Sequence, residues 1–140
     1  MTLVQNGGVT TFFKAYERAI QTEDPDQFGR LYHESFLFGG VQGTRTLQLV
    51  EFLRFLPQRA EFAKKLGLTS TRLMTVEALA MDEKYILAKV AWKFKVQRML
   101  GTSEIMTEAS YILMKWNEDF RIVVQLDHHD LMERLKTLQN

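Results

Sequence analysis

Residues Phe28 to Gly43, FGRLYHESFLFGGVQG, decide how this chain reads. Phe28, Leu31 and Tyr32 supply the inner face of a short helix. A strand follows over His33 to Phe38, ending at Gly39-Gly40, where the backbone must bend. Upstream, Val9, Phe12, Phe13, Tyr16, Ala19 and Ile20 fall on one stripe at helical spacing, which predicts a helix over 9–22. Lys14, Glu17, Arg18 and Gln21 then face water. Asp24 caps the short helix, and Pro25 takes its first position, where a missing N–H costs nothing. The residues up to Asn6-Gly7-Gly8 read as a loose lead-in.

Downstream, helical spacing resumes after Thr44 or Thr46 in LQLVEFLRFLPQRAEFAKKLG. Pro57 is expected to kink or split that helix, because it removes a hydrogen bond and collides with the preceding turn. Lys64, Lys65 and Gly67 are stop signals. From Leu68 the period changes to two, with strands predicted over 71–81, 85–98, 104–116 and 120–127, then a helix over 130–138. Ile86, Ala88, Val90, Trp92, Phe94 and Val96 share one face of the second of these. A turn centred between Gly101 and Thr102 would set Lys95 opposite Glu108 and Trp92 opposite Tyr111. Helices gathered early and a long meander late specify an α+β domain. Such long strands must coil, so the expected form is a strongly curved antiparallel sheet wrapped around the N-terminal helices, a cone with a central pocket.

A chain of 140 residues is read as a single domain over 1–140, which buries roughly 68–70% of its unfolded surface. The absence of cysteine removes disulfides and thiolate metal sites. A net charge of +1 with interspersed signs argues against a nucleic-acid partner. No apolar run approaches the roughly 18 residues of a membrane span, so no membrane partner and a cytoplasmic location are expected. No cofactor is expected.

The segment from the first helix to Gly43 resembles the nuclear transport factor 2-like superfamily, whose cone-shaped, cystatin-like α+β members include ketosteroid isomerase, scytalone dehydratase and limonene epoxide hydrolase. The resemblance rests on the aromatic stripe, Tyr16 eight residues before Asp24, the Asp24-Pro25-Asp26 turn, Leu31-Tyr32 and the strand closing on Gly39-Gly40. The order of elements extends it over nearly the whole chain. It implies a fold, and fold transfers no chemistry. Against ketosteroid isomerase, the phenol donor falls on Tyr16, but the general base falls on Gly40 and the protonated aspartate on Ile112. A proton shuttle without its base does not run, so that reaction is not expected.

Several residues could still carry chemistry. Tyr16 either points its hydroxyl into the cone as a donor or finds a backbone partner in the core. One of Tyr32 and His33 must point inward, because strand neighbours alternate. Asp127-His128-His129-Asp130 is the densest titratable cluster. Asp127 and His129 would pair as carboxylate and base if the last strand persists that far, or an aspartate would cap the last helix. Adjacent histidines diverge in a strand and no third ligand is evident, so no metal site is expected. Glu108 is read on the outer face beside the Lys89, Lys93 and Lys95 row. Trp92, Tyr111, Phe36 and Phe38 are core residues that would also line an aromatic pocket, with Tyr32 and His33 at its edge. The resulting expectation is a homodimer, with Leu87, Ala91, Ile112 and Met114 in its interface. Each cone would hold a small apolar or aromatic molecule; the alternative is a non-catalytic dimeric interaction module with a filled cone and a functional outer surface. If the chain is catalytic, Asp127, His129 and a Tyr16 or Tyr32 donor would run lyase, isomerase or hydrolase chemistry.

Overall fold

A computed structural model describes residues 2–3 and 7–139 of the chain. The first half comprises β1 (Thr2–Leu3), α1 (Gly7–Thr22), α2 (Pro25–Gly29), β2 (Tyr32–Gly40), β3 (Gly43–Gln48) and α3 (Leu49–Lys65). The second comprises β4 (Leu68–Ala80), β5 (Tyr85–Arg98), β6 (Gly101–Trp116), β7 (Asp119–Asp127) and α4 (Leu131–Gln139). The expected lead-in is only partly described. Thr2 and Leu3 pair with the end of β4, Gly7 and Gly8 belong to α1, and Met1 and residues 4–6 lie outside the described residues.

The strands form one sheet in the order β1-β4-β5-β6-β7-β2-β3. It is mixed, not wholly antiparallel as expected, because β2 runs parallel to β7. Parallel neighbours need a long crossover, and here β3, α3 and the meander together supply it. The expectation of a helix soon after Thr44 or Thr46 is corrected by β3. Gly40 pairs with Gly43 around a two-residue turn, and β-branched Thr44 and Thr46 extend a hairpin back along β2. The helix therefore begins at Leu49 and runs unsplit through Pro57. Both halves pack on the core, Phe52, Leu53 and Leu56 before the proline and Ala63 after it.

Strand β5 has the predicted bounds, and its alternating residues Ile86, Ala88, Val90, Trp92, Phe94 and Val96 are all buried. The β5–β6 register differs from expectation. Met99-Leu100 makes the turn, so Lys95 lies opposite Glu104 and Trp92 opposite Thr107 rather than Tyr111. The displacement of four residues is even, so every side chain keeps its face. Glu108 accordingly points outward, with its carboxylate 3.2 Å from Lys89, and Lys93 meets Glu104 at 2.8 Å. On the inner face α1 lies across the curve, with Phe13 against Tyr111 at 4.8 Å between ring centres. Glu17 does not face water. Its carboxylate accepts the Leu73 backbone N–H at 2.5 Å, where a bulge interrupts β4, and so ties α1 to the sheet.

A second bulge decides what β7 presents inward. Leu113 pairs with Ile122 and Ile112 with Val124, so Val123 is left over. Past it, the inward set becomes Gln125 and Asp127, opposite inward Tyr111 and Ala109. Among the described residues no helix is long and apolar enough to cross a membrane.

Candidate functional site

Five elements bring their polar tips to one place inside the cone. From α1, the Tyr16 hydroxyl lies 2.7 Å from that of Tyr32 at the start of β2. Tyr32 donates to Gln125 Oε1 on β7 at 2.5 Å, and Gln125 Nε2 donates to Asp127 Oδ1 at 3.0 Å. Trp92 Nε1 on β5 donates to the Tyr111 hydroxyl on β6 at 3.2 Å, and Tyr111 also hydrogen-bonds Tyr16. An ionised carboxylate only accepts, so it turns the Gln125 amide nitrogen toward itself. The amide oxygen must then accept from Tyr32, and Tyr32 in turn from Tyr16. The result is a one-way chain of donors that ends on Asp127.

The rings carrying these hydroxyls fill the middle of the cone. Tyr16 sits 5.4 Å from Trp92, Tyr32 sits 4.6 Å from Phe36 and 4.9 Å from Phe52, and Phe36 and Phe52 meet edge to face at 5.2 Å. Phe38 is partly buried against the same cluster. Asp127 is half-buried at the open end of the chain of donors, and Arg59 of α3 acts electrostatically on both Asp127 and Tyr16. Among the surface clefts, two lie outside this group of rings. One of about 630 Å³ lies between α1, α2 and the β6–β7 turn, and one of about 410 Å³ lies between β6 and α4.

The remaining candidates are not brought to this group. His33 takes the face opposite Tyr32, its Nδ1 3.2 Å from the Ser35 carbonyl and its ring edge-on to Trp116. The Asp-His-His-Asp cluster separates once β7 ends at Asp127. His128 bonds Ser110 Oγ at 2.7 Å, and Arg134 of α4 meets His129 Nδ1 at 2.9 Å. Asp130 caps α4 by accepting the Glu133 N–H at 3.1 Å. Sequence reasoning missed Gln125, Phe52 and Arg59. A lone amide in the otherwise apolar run IVVQL was the available signal for the first. Helical spacing on α3 offered one for the second, and nothing local marked the third.

Burial holds all three inner tyrosines in their neutral form. It pushes Tyr16 up to about 12 and raises Tyr32 and Tyr111 well above the ordinary phenol value. An unfolded chain ionises these groups near pH 10, so the stability they contribute is complete below that pH. It is lost as pH rises from there through the folded values, about 12 for Tyr16. Chemical denaturation at a series of alkaline pH values should show stability falling in that window, with the tyrosinate absorbance of these groups appearing only on unfolding.

Asp127 is also raised, first by burial, with the Gln125 hydrogen bond, Arg59 and His128 opposing. The folded state thus holds this proton more tightly than the unfolded chain. Between the ordinary carboxyl range and the raised folded value, Asp127 should make the protein more stable as pH falls. Asp127→Asn keeps the oxygen that Gln125 bonds and removes the buried charge. It should flatten that part of the stability–pH curve and leave stability at pH 7 equal to the wild type or above it.

No protein-family model matches this sequence, and no curated protein does. Solved structures match closely in shape. A nuclear transport factor 2-like protein of unknown function from Shewanella oneidensis aligns with a TM-score of 0.66 at 15% identity, over 89% of this chain and 98% of its own. A protein of unknown function with a cystatin-like fold from Nostoc punctiforme gives 0.70 at 10% identity, over 94% and 96%. A nuclear transport factor 2-like protein from Cytophaga hutchinsonii gives 0.66 at 13%, over 91% and 99%. The curved sheet, the helices leading it and these alignments agree: this chain has the nuclear transport factor 2-like fold.

Proposed function

We propose that this chain binds a small apolar or aromatic molecule with one hydrogen-bonding group at the open end of the cone, and that Asp127 anchors it. The carrying observation is the donor chain that ends there. Gln125 donates to one carboxylate oxygen of Asp127, and the other accepts no hydrogen bond among the described residues. Phe36, Phe38 and Phe52 would wall the site, an apolar surround with one placed polar group. Tyr16, Tyr32, Trp92 and Tyr111 act as positioning residues, because their polar atoms are occupied by one another and by Gln125. Turnover by an Asp127–His129 pair is less well supported, since His129 is engaged by Arg134. Native mass spectrometry of the protein as purified from cells tests the reading. A non-covalent small-molecule adduct is expected, weakened about tenfold or more in Asp127→Ala, as loss of one hydrogen bond to a charged group implies. An adduct that Asp127→Ala leaves unchanged would contradict it.

A second observation favours self-association through the outer sheet face. Met74 and Met106 are 45% and 47% exposed there. Leu87, Ala91 and Ile112 are half-buried, and Met114 is buried. The Lys89–Glu108 and Lys93–Glu104 pairs lie on the same face. The pairs are interleaved with the apolar residues, Glu108 opposite Ala91 and Lys93 opposite Met106, so the face combines apolar surface with matched charges, as interfaces do. Sedimentation should show a dimer that Met106→Glu converts to monomer, whereas a wild type that stays monomeric at high micromolar concentration would remove this reading.

A further inference from the structure

The cleft between α1, α2 and the β6–β7 turn lies apart from Asp127, and none of the inner tyrosines line it. Its volume of about 630 Å³ is that of a small-molecule site. Phe12, Ala15, Leu31 and Phe120 give it an apolar floor. The two phenylalanines meet edge to face at 6.0 Å.

The charges around that floor are divided. Arg18 from the last turns of α1 and Arg30 just after α2 both line the cleft, with Gln27 between them in sequence. Among the described residues neither guanidinium has an acidic partner or a hydrogen bond. Most other charges with partners are matched across elements, as in Lys64–Glu23, Lys89–Glu108 and Lys93–Glu104. Gln27 accepts from Thr22 through its oxygen at 3.3 Å, which leaves its amide N–H groups as further donors. The other end of the cleft is acidic. Glu118 and Asp119 line it, and only Asp119 is offset, by Arg121 at 3.5 Å. Gly8 and Arg18 mark the two ends along α1. Ten residues of helix separate them, about 15 Å at 1.5 Å per residue.

We propose that this cleft is a second binding site, for an organic monocarboxylate with an apolar body. The carboxylate would take the two-pronged donation that guanidinium groups offer. The body would lie on the Phe12–Leu31–Phe120 floor. Glu118 would fix the direction of entry and reject a second anionic group at the far end. Neutral analogues would lose the arginine contacts, and dicarboxylates would meet repulsion.

Titration calorimetry with 4-phenylbutyrate and decanoate, read beside amide shift mapping, tests this. Saturable binding of both is expected, with shifts at Ala15, Leu31 and Phe120. At the cleft, read from the Ala15, Leu31 and Phe120 shifts, the neutral 4-phenylbutanol should bind about tenfold more weakly or worse. The double variant Arg18→Gln/Arg30→Gln should lose the same factor for the acids, and its fold is secured because both side chains are exposed and unpartnered. Asp127→Ala should bind the acids as the wild type does, which separates this site from the cone mouth. No saturable binding of either acid, equal binding of the alcohol, or unchanged binding in the double arginine variant would each overturn the proposal.

Discussion

Tyr32→Ala is expected to lower the unfolding free energy by about 5 kcal/mol, the largest loss from any single side chain in the site. Two contributions add. Truncating a fully buried aromatic ring leaves a cavity and costs about 3–5 kcal/mol, and Tyr32 is 1% exposed, wedged between Phe36 and Phe52. Removing its hydroxyl also strands the Tyr16 donor and Gln125 Oε1, at about 1–3 kcal/mol for a buried polar group left unmatched. Tyr32→Phe isolates the second contribution and should cost about 1–3 kcal/mol alone. Urea denaturation of both variants measures the difference. A Phe variant as stable as the wild type would mean that the donor chain does not hold. Because domains of this kind are stable by only about 5–15 kcal/mol, the Ala variant should be substantially unfolded under mild conditions.

Gly67→Ala is the second large expected effect, about 2–5 kcal/mol. Gly67 closes α3, donating to Lys64 O at 3.0 Å with φ at +99°. Its carbonyl accepts the Gln97 N–H at 2.7 Å, so the end of α3 is stitched to β5. A Cβ at this position would lie 2.4 Å from the Gln97 carbonyl oxygen and 2.5 Å from Gln139 Nε2 of α4. A backbone atom cannot give way as a side-chain end can, so the contact between α3, β5 and α4 must open. Gly101 is the control. It has φ of +108° but nothing within 4 Å of an added Cβ, so Gly101→Ala should cost only the backbone term of about 1–2 kcal/mol. Equal losses in the two variants, by thermal or urea unfolding, would show that close packing at Gly67 does not matter.

The parts of the fold that local pattern determines were readable in the sequence. The α1 stripe and the bounds of β5 follow from burial at periods of 3.6 and two, and both buried faces came out as read, although Glu17 on the polar side of α1 turns to the sheet. What the pattern leaves open is pairing. Gly101 marks the β5–β6 turn, yet the turn centre lies before it, at Met99-Leu100, because the positive-φ glycine follows the two-residue loop. The parallel β2–β7 neighbour relation depends on a crossover that no local signal encodes. The same holds within the site. Tyr16, Tyr32, Trp92 and Tyr111 announce themselves as aromatic residues on inward faces, but the Val123 bulge is what turns Gln125 and Asp127 toward them. Without that extra residue the inward parity of β7 would reverse, and the donor chain would end on a different side chain. His129 shows the limit of reading by proximity. Proximity in sequence to Asp127 suggested a pair, but the strand ends between them and Arg134 of α4 takes the ring.

The proposed ligand site requires Asp127 to stand at the open end of the cone as an anchor. Amide and side-chain shift mapping with small phenols and aryl alcohols, which can donate to a carboxylate, puts that most directly to the test. The predicted result is a set of shifts centred on Gln125, Asp127, Phe36 and Phe52 that disappears in Asp127→Ala while the fold persists. Shifts confined to other surfaces, or a response at the cone mouth that survives the loss of the Asp127 carboxylate, would contradict it.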